Sequence, residues 1–190
     1  MRKFVVLSCV FAGVSVWMLV QGLGRPGRSL VHPPSAGHEF SGDAGAWFQA
    51  TKPYCNSVEV ETRQQWYPPP ATLEGAAYSA ACYALAGRIE RARELILDVE
   101  AEHRWRAAGI VFGVGHPVAD AGDDLSAGPI MELVVEFWPN HYMALYHAGI
   151  SRYQLGEPEA ARRHLNAFLE HYEQEDGWTA NARHVLAEID

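Results

Sequence analysis

The sequence repeats itself with a period of 34 to 35 residues, and this period limits the possible folds more than any other feature. Gly87, Gly122 and Gly156 are separated by 35 and then 34 residues. A very small residue lies seven positions before each glycine, an alanine five after it and a larger apolar residue nine after it. These residues are Ala80, Gly115 and Gly149; Ala92, Ala127 and Ala161; and Ile96, Met131 and Leu165. A period of this length indicates stacked structural repeats.

The pattern within one period predicts a hairpin of two α-helices. Glycine commonly ends a helix in the left-handed backbone region, so each glycine is expected between a first and a second helix. In the third unit, Pro158 and two acidic residues follow Gly156, which is typical of a helix N-terminus. The small residues allow the two backbones to approach closely, and the larger apolar residue fills the seam. We therefore expect an all-α fold, a helix-hairpin solenoid of about three units.

Two of these units resemble the tetratricopeptide repeat. One reads LEGAAYSAACYALAGRIERAR from Leu73, and the other reads YMALYHAGISRYQLGEPEAAR from Tyr142. The Pro139-Asn140 pair falls where that family places its proline between repeats. The resemblance covers residues 73–175 and implies a fold rather than an activity. It also implies that the inner face of each first helix binds an extended peptide or a helix of a partner.

The middle unit departs from this pattern. Residues 113–117 include two glycines and a proline where the first helix should run, and the Gly128-Pro129 pair interrupts the second. Proline inside a helix costs about 3 kcal/mol, so we expect a broken or shortened first helix. The second helix is expected to span Pro129 to Trp138, with Ser126 or a neighbour as its cap.

Residues 1–23 are predicted to be a transmembrane signal-anchor. After Arg2 and Lys3, the uncharged run from Phe4 to Leu23 is 20 residues long, which is enough for a helix to cross a bilayer. A cleaved signal peptide is the alternative, but this run is long for one and no small-x-small cleavage site follows. A lipoprotein signal at Cys9 fails because few apolar residues precede it. Flanking charges barely discriminate the orientation, and we expect the short N-terminal tail to stay inside.

Charge is distributed unevenly along the chain. The formal net charge is −8, yet residues 1–38 contain four basic side chains and no acidic one. The remainder contains 11 basic and 23 acidic side chains. An acidic domain repels phosphate backbones, so nucleic acid is not expected as a partner.

Two segments connect the anchor to the repeats. Residues 24–45 are rich in Gly, Pro, Ser and His, without apolar periodicity, and are predicted to be a flexible linker. Residues 46–72 are expected to form a short flanking helix pair. Asn56 and Glu59 have the spacing of a capping box, and Thr72 is the expected N-cap of the first repeat.

A capping helix is predicted at the other end, over residues 176–190. Its apolar side chains fall 4, 3 and 4 residues apart and form one stripe, with Arg183 and Asp190 pointing outward. The stripe consists of Trp178, Ala182, Val185 and Ile189. Terminal helices of this kind cover the exposed end of a solenoid.

Two cysteines lie in the part of the chain beyond the anchor. If this part is exported, Cys55 and Cys82 could form a disulfide across 27 residues, which would stabilise the fold by about 3–4 kcal/mol. Stacking of the flanking pair on the first unit would bring Cys55 close to the helix that carries Cys82. Two buried free thiols are the alternative.

Motifs for catalysis or cofactor binding do not occur in the sequence. The nucleophile elbow, the P-loop, the dinucleotide fingerprint, His-Glu-x-x-His and Cys-x-x-Cys are all missing. We therefore expect a protein that is not an enzyme and has no cofactor. Among nine histidines, His164 and His171 are too far apart on one helix to chelate one ion. A metal protein that uses His116, His141 or His147 is kept as an alternative.

A surplus apolar stripe is the candidate binding surface. The third unit contributes four residues at spacings of 3, 4 and 3, and the middle unit adds two more. The candidate protein-binding residues are Phe112, His116, Met143, Tyr146, Ile150 and Tyr153. Exposed apolar stripes with aromatic side chains usually mark interaction sites. Coverage of the stripe by the flanking pair or by the final helix is the alternative.

Together these features predict a single-pass protein of a bacterial inner membrane whose domain faces the periplasm. The expected function is that of a scaffold, such as an accessory or structural subunit of a larger envelope-assembly or energy-transducing membrane complex. Its partners would be other proteins and, through the N-terminal helix, the membrane. Two alternatives stay open: a periplasmic adaptor or chaperone that binds peptide segments of exported clients, and a histidine-based metal-binding protein.

Overall fold

The computed structural model describes residues 43–189, and the regular secondary structure of this part of the chain is entirely helical. Its nine α-helices are α1 (Ala44–Thr51), α2 (Val60–Trp66), α3 (Leu73–Leu85), α4 (Ile89–Leu97), α5 (Arg104–Asp120), α6 (Asp124–Phe137), α7 (Tyr142–Gln154), α8 (Pro158–His171) and α9 (Gly177–Ile189). Short 3-10 turns lie at Lys52–Tyr54 and Ala101–His103. The all-α class is thus confirmed for the described residues.

The predicted anchor, residues 1–23, lies outside the described residues, as does most of the predicted linker. Within residues 43–189, each helix is too short or too polar to cross a bilayer.

Three helix pairs turn at the three regularly spaced glycines. Gly87 separates α3 from α4, Gly122 separates α5 from α6, and Gly156 separates α7 from α8, with φ angles of 72°, 86° and 72°. At each turn, the residue after the glycine donates its N–H to a carbonyl five residues earlier. These bonds run from Arg88 to Tyr83, from Asp123 to Val118 and from Glu157 to Arg152, over 2.9, 3.2 and 2.9 Å. The positive φ disfavours any residue with a Cβ, which explains glycine at all three turns.

Close approach of the paired helices explains two further glycines. A Cβ added to Gly115 would lie 2.7 Å from Cγ2 of Ile130, and one added to Gly149 would lie 2.7 Å from Cδ2 of Leu165. Both distances are shorter than real van der Waals contacts. In the middle and third units, the predicted small residue of the first helix therefore lies where the second helix packs against it.

The expected break in the middle unit is wrong. Helix α5 runs without interruption through Pro117, and α6 runs through Pro129. Each proline leaves the carbonyl group four residues earlier without its usual intrahelical donor. Those carbonyls belong to Gly113 and Leu125, which are exposed residues, so water can hydrate them. The loss is tolerated because it falls on the solvent side of each helix.

At the N-termini of several helices, a side chain caps the first turn. The hydroxyl of Thr72 accepts a hydrogen bond of 3.0 Å from the N–H of Gly75, as expected for the start of α3. Helix α6 begins at Asp124, five residues before the expected start. Its cap is Asp123, whose carboxylate accepts from the N–H of Ser126 over 3.1 Å. The N-cap of α6 thus lies nearer to the N-terminus of the chain than the position of Pro129 had suggested.

The flanking helices are joined to the first repeat covalently. Cys55 and Cys82 form a disulfide that links the segment after α1 to α3, with their Cα atoms 4.8 Å apart. Between α1 and α2, Asn56 Oδ1 accepts from the N–H of Glu59 at 3.1 Å, and Asn56 Nδ2 donates to Glu59 Oε2 at 2.8 Å. The predicted capping box forms only in part, because the Glu59 carboxylate binds the side-chain amide of Asn56, whereas the backbone N–H of Asn56 donates to the carbonyl of Tyr54. Trp47 of α1 is fully buried, and its indole N–H donates to the carbonyl of Tyr67.

Helix α9 closes the C-terminal end of the described region. It packs against α8 and α7 and forms a second apolar cluster with them, separate from the core around α3 to α6. The buried members of this cluster are Leu145, Tyr146, Ile150, Leu165, Phe168, Ala182 and Val185. Three of the four residues of the predicted stripe, Trp178, Ala182 and Val185, therefore face the last hairpin.

Candidate functional site

Helix α9 covers the centre of the expected binding stripe on α7. Tyr146 and Ile150 are only 6% and 7% exposed. The hydroxyl of Tyr146 accepts a hydrogen bond of 2.6 Å from Nδ2 of Asn181, and its ring meets the Trp178 ring edge-on at 4.8 Å. The expectation of a free surface is therefore wrong for these two residues. Coverage by the final helix, the alternative reading of the stripe, holds here because α9 buries its own apolar side chains on them.

The other stripe residues are half-buried and do not share one surface. The Tyr153 hydroxyl donates to the Glu188 carboxylate of α9, and this bond raises the pKa of Tyr153. Met143 is half-buried on α7. On α5, the ring of Phe112 stacks on that of His116 with 4.6 Å between centroids. Five of the six candidates are thus divided between the contact with α9 and a group of histidines, and Met143 belongs to neither.

A row of aromatic rings runs along one edge of the hairpins, and we call it the aromatic edge. It consists of Trp105, Trp138, His141, Tyr142 and Tyr172, which lie at the starts of α5 and α7 and just after α6 and α8. Centroids of successive rings are 5.4, 4.7, 6.2 and 5.0 Å apart. Trp105 and Tyr142 are 48% and 41% exposed. The aromatic edge therefore exposes a large aromatic surface to solvent, and its residues lie at the ends of four helices.

The sequence contained a signal for this edge that the search for an inner-face stripe missed. Trp138 and Tyr172 are 34 residues apart, and each directly follows the second helix of a hairpin. Trp105 precedes Trp138 by 33 residues. The repeat period therefore applies to the turns between hairpins as well as to the helices.

A second group of polar side chains gathers where α5, α6 and α7 meet. We call His116, Asp120, Asp124 and His147 the histidine cluster. Nδ1 of His147 lies 2.8 Å from Oδ1 of Asp124, and Nε2 of His116 lies 3.4 Å from Oδ1 of Asp120. The centroids of the two imidazole rings are 5.2 Å apart. Residues from three helices thus meet at one point.

Burial governs the electrostatics of this cluster. Desolvation lowers the pKa of His116, the nearby Asp120 carboxylate opposes that shift, and His147 adds to it. Burial therefore favours the neutral form of the His116 imidazole. Nε2 of His116 and Nε2 of His147 are both buried without a hydrogen-bond partner. Such unpaired nitrogens are costly in a protein interior and are uncommon unless they have a role.

His141, the third histidine considered for a metal, has a different position. Its Nδ1 accepts a hydrogen bond of 3.3 Å from the N–H of Ala144 and so caps α7. Burial lowers the pKa of His141 and so favours the neutral imidazole, the form in which Nδ1 can accept this bond. His141 thus belongs to the aromatic edge rather than to the histidine cluster.

An ion-pair network ties the last hairpin to the middle one. The Arg152 guanidinium of α7 binds both oxygens of Glu132 on α6 at 2.5 Å and Glu157 at 2.7 Å. His164 of α8 lies 3.5 Å from the same Glu132 carboxylate. Burial would raise the pKa of Glu132, but the bonds from His164 and Arg152 outweigh it and hold that pKa at about 2.

Comparisons with known proteins provide no family for this chain. No protein-family model matches the sequence, and no curated protein or solved structure is significantly similar to it. The class defined by the fold is an all-α domain of successive helix hairpins with glycine turns. Functional conclusions therefore rest on the aromatic edge and the histidine cluster.

Proposed function

We propose that the protein is a membrane-anchored scaffold of the tetratricopeptide-like class, which binds another protein through its aromatic edge. The class is supported by three helix pairs that turn at equivalent glycines. It is also supported by the tight contacts at Gly115 and Gly149, where small residues let helices approach. The proposal assigns no catalytic activity.

The exposed aromatic edge is the observation that carries this proposal. Tryptophan and tyrosine are the residues most enriched among the anchors of protein interfaces. Most neighbouring rings in the edge pack against one another, with centroids 4.7–5.4 Å apart, so their rotamers are restricted before a partner binds. Preorganised side chains lose less conformational entropy on binding, and more of the contact energy is available for affinity.

Charge suggests the chemistry of the partner surface. The chain beyond residue 38 carries 23 acidic and 11 basic side chains. A partner with an apolar patch and a basic net charge would complement the aromatic edge and the acidic net charge of this part of the chain.

The proposed location is the periplasmic face of a bacterial inner membrane. The Cys55–Cys82 disulfide supports an exported domain, because structural disulfides persist mainly in oxidising compartments. An uncleaved apolar segment at residues 4–23 would hold the protein at the bilayer. Restriction to the membrane raises the effective concentration of protein and partner, so an interface of modest size suffices.

Affinity purification of the full-length chain from mild-detergent membranes tests the proposal. We expect a partner to co-purify at fixed stoichiometry with the wild type and to be lost from the Trp105→Ala/Tyr142→Ala double variant. Leu155→Ala is the matched control, because Leu155 is an equally exposed apolar residue at the other end of α7. Helicity measured by circular dichroism should be unchanged in all variants.

The identity of the recovered proteins separates the competing functions. Unchanged recovery by the double variant would contradict binding at the aromatic edge. Many unrelated exported proteins in small amounts would instead indicate the adaptor or chaperone function.

A further inference from the structure

We propose that His116, Asp120 and His147 form a binding site for a divalent transition-metal ion such as Zn²⁺. Each of the three residues offers one ligand atom, and these atoms all lie within 4.8 Å of one another. His116 and Asp120 belong to α5 and His147 to α7, so the ion would join two successive hairpins. The inference is independent of partner binding.

His147 is the most informative member of the set. Its side chain is 3% exposed, and its Nδ1 is hydrogen-bonded to the Asp124 carboxylate. A neutral imidazole that donates through Nδ1 presents a lone pair at Nε2, and Nε2 of His147 is buried without a hydrogen-bond partner. Metal-binding histidines commonly carry a carboxylate on the other ring nitrogen, which orients the ring and increases its basicity. Asp124 occupies that supporting position.

His116 and Asp120 supply the remaining ligands from one face of α5. They are four residues apart, and Nε2 of His116 is also buried without a hydrogen-bond partner. In a tetrahedral site with bonds of about 2.0–2.2 Å, ligand atoms lie roughly 3.3 Å apart, so the side chains would close around the ion. Both side chains are partly exposed and free to make this adjustment.

The ligand set indicates the class of ion. Two imidazoles and one carboxylate favour Zn²⁺ and its first-row neighbours, whereas Ca²⁺ and Mg²⁺ require mostly oxygen ligands. Aromatic rings surround the site: Phe112 stacks on His116, and Trp178 lies 5.7 Å from His147 between centroids. Apolar walls of this kind limit access of water and strengthen the bonds to the metal. Three protein ligands leave a position for water or for a side chain of a partner.

Zn²⁺ titration of the full-length chain tests the site. The protein is purified in mild detergent without a polyhistidine tag, freed of metal with a chelator and followed by calorimetry. We expect one equivalent to bind tightly and to raise the melting temperature. His116→Ala and Asp120→Asn should each remove this equivalent, and Asp124→Asn should weaken binding by about 10–100-fold. These variants avoid truncation of the buried His147, and circular dichroism checks that they fold.

His184→Ala is the matched control. His184 and Glu188 on α9 repeat the four-residue spacing at 3.3 Å, but the histidine is mostly exposed. This variant should bind Zn²⁺ with the affinity of the wild type. The absorption spectrum of bound Co²⁺ should indicate an imidazole-ligated site in both proteins. Absence of tight Zn²⁺ binding by the wild type would overturn the proposal. Equal affinity of the His116→Ala variant and the wild type would overturn it as well.

Discussion

Gly113 and Gly115 lie two residues apart in α5, yet their surroundings are opposite. A Cβ on Gly113 would meet nothing within 4 Å, whereas a Cβ on Gly115 would press into Ile130. The first glycine only weakens the helix, and the second permits contact with α6. The sequence predicted that both would interrupt the helix, although the repeat period also predicted Gly115 as a small residue that lets the paired helices approach.

Alanine at these two positions should have effects of opposite sign. Gly113→Ala is expected to stabilise the fold by about 0.5–1 kcal/mol, because alanine favours the helix. Gly115→Ala is expected to destabilise it by about 1–3 kcal/mol, because the helices must separate. Urea unfolding of the two variants measures both changes. A Gly115→Ala protein as stable as the wild type would contradict the close helix contact.

The histidines show the same limit, because the role of a residue cannot be predicted from that residue alone. The sequence contains nine histidines and favours solvated or structural roles for them. The cluster forms because His147 lies 23 residues from Asp124 in the chain but 2.8 Å from it in space. The spacing along one helix, His116 to Asp120, was visible, whereas the third ligand comes from another hairpin.

At the scale of elements, the cap of α3 and the glycine turns were predictable because they depend on neighbours in sequence, whereas the cap of α6 was expected too far along the chain. Thr72, Asn56 and the three turn glycines act within five residues of their partners. The effect of the prolines was predicted wrongly. A proline inside a helix costs less free energy when water can reach the carbonyl group that loses its intrahelical hydrogen bond. Helix α5 tolerates Pro117 because Gly113 is exposed.

The ion pair between α6 and α7 should make the stability of the domain depend on pH. The pKa of Glu132 is about 2 in the folded state, below its ordinary value of 4.5. Its contribution is therefore fully present above pH 4.5 and is lost as the pH falls towards 2. Glu132→Gln should lower the melting temperature at pH 7 and make it less sensitive to acid between pH 5 and 2.

Glu94→Gln is the control for this experiment. Glu94 pairs with Arg91 at 2.7 Å on an exposed helix face, where solvent screens the interaction. Its melting temperature should follow that of the wild type at each pH. Identical acid profiles of the wild type and Glu132→Gln would show that the network does not link the two hairpins energetically.

At the scale of the whole molecule, the disulfide joins the flanking helices to the first repeat. It spans 27 residues, and a crosslink of that length restricts the unfolded chain by about 3–4 kcal/mol in the loop-entropy account. The flanking pair is short, so this link matters more for it than for the hairpins that follow.

Removal of both cysteines should reveal this dependence. The Cys55→Ser/Cys82→Ser variant is expected to lose about 2–5 kcal/mol of unfolding free energy, measured in urea. The wild type under reducing conditions should show a comparable loss. A reduced protein as stable as the oxidised one would mean that packing alone holds the flanking pair in place.

The helix hairpins and their turns follow from local sequence, because φ preferences, caps and the repeat period act over a few residues or one module. Tertiary packing, in contrast, decides which faces of the helices remain exposed to solvent. Tyr146 is covered by Asn181, 35 residues away, and the histidine cluster draws on three helices. Apolar surface is buried without regard to its order in the chain, so a stripe that is apolar in sequence is free only where no later helix reaches it.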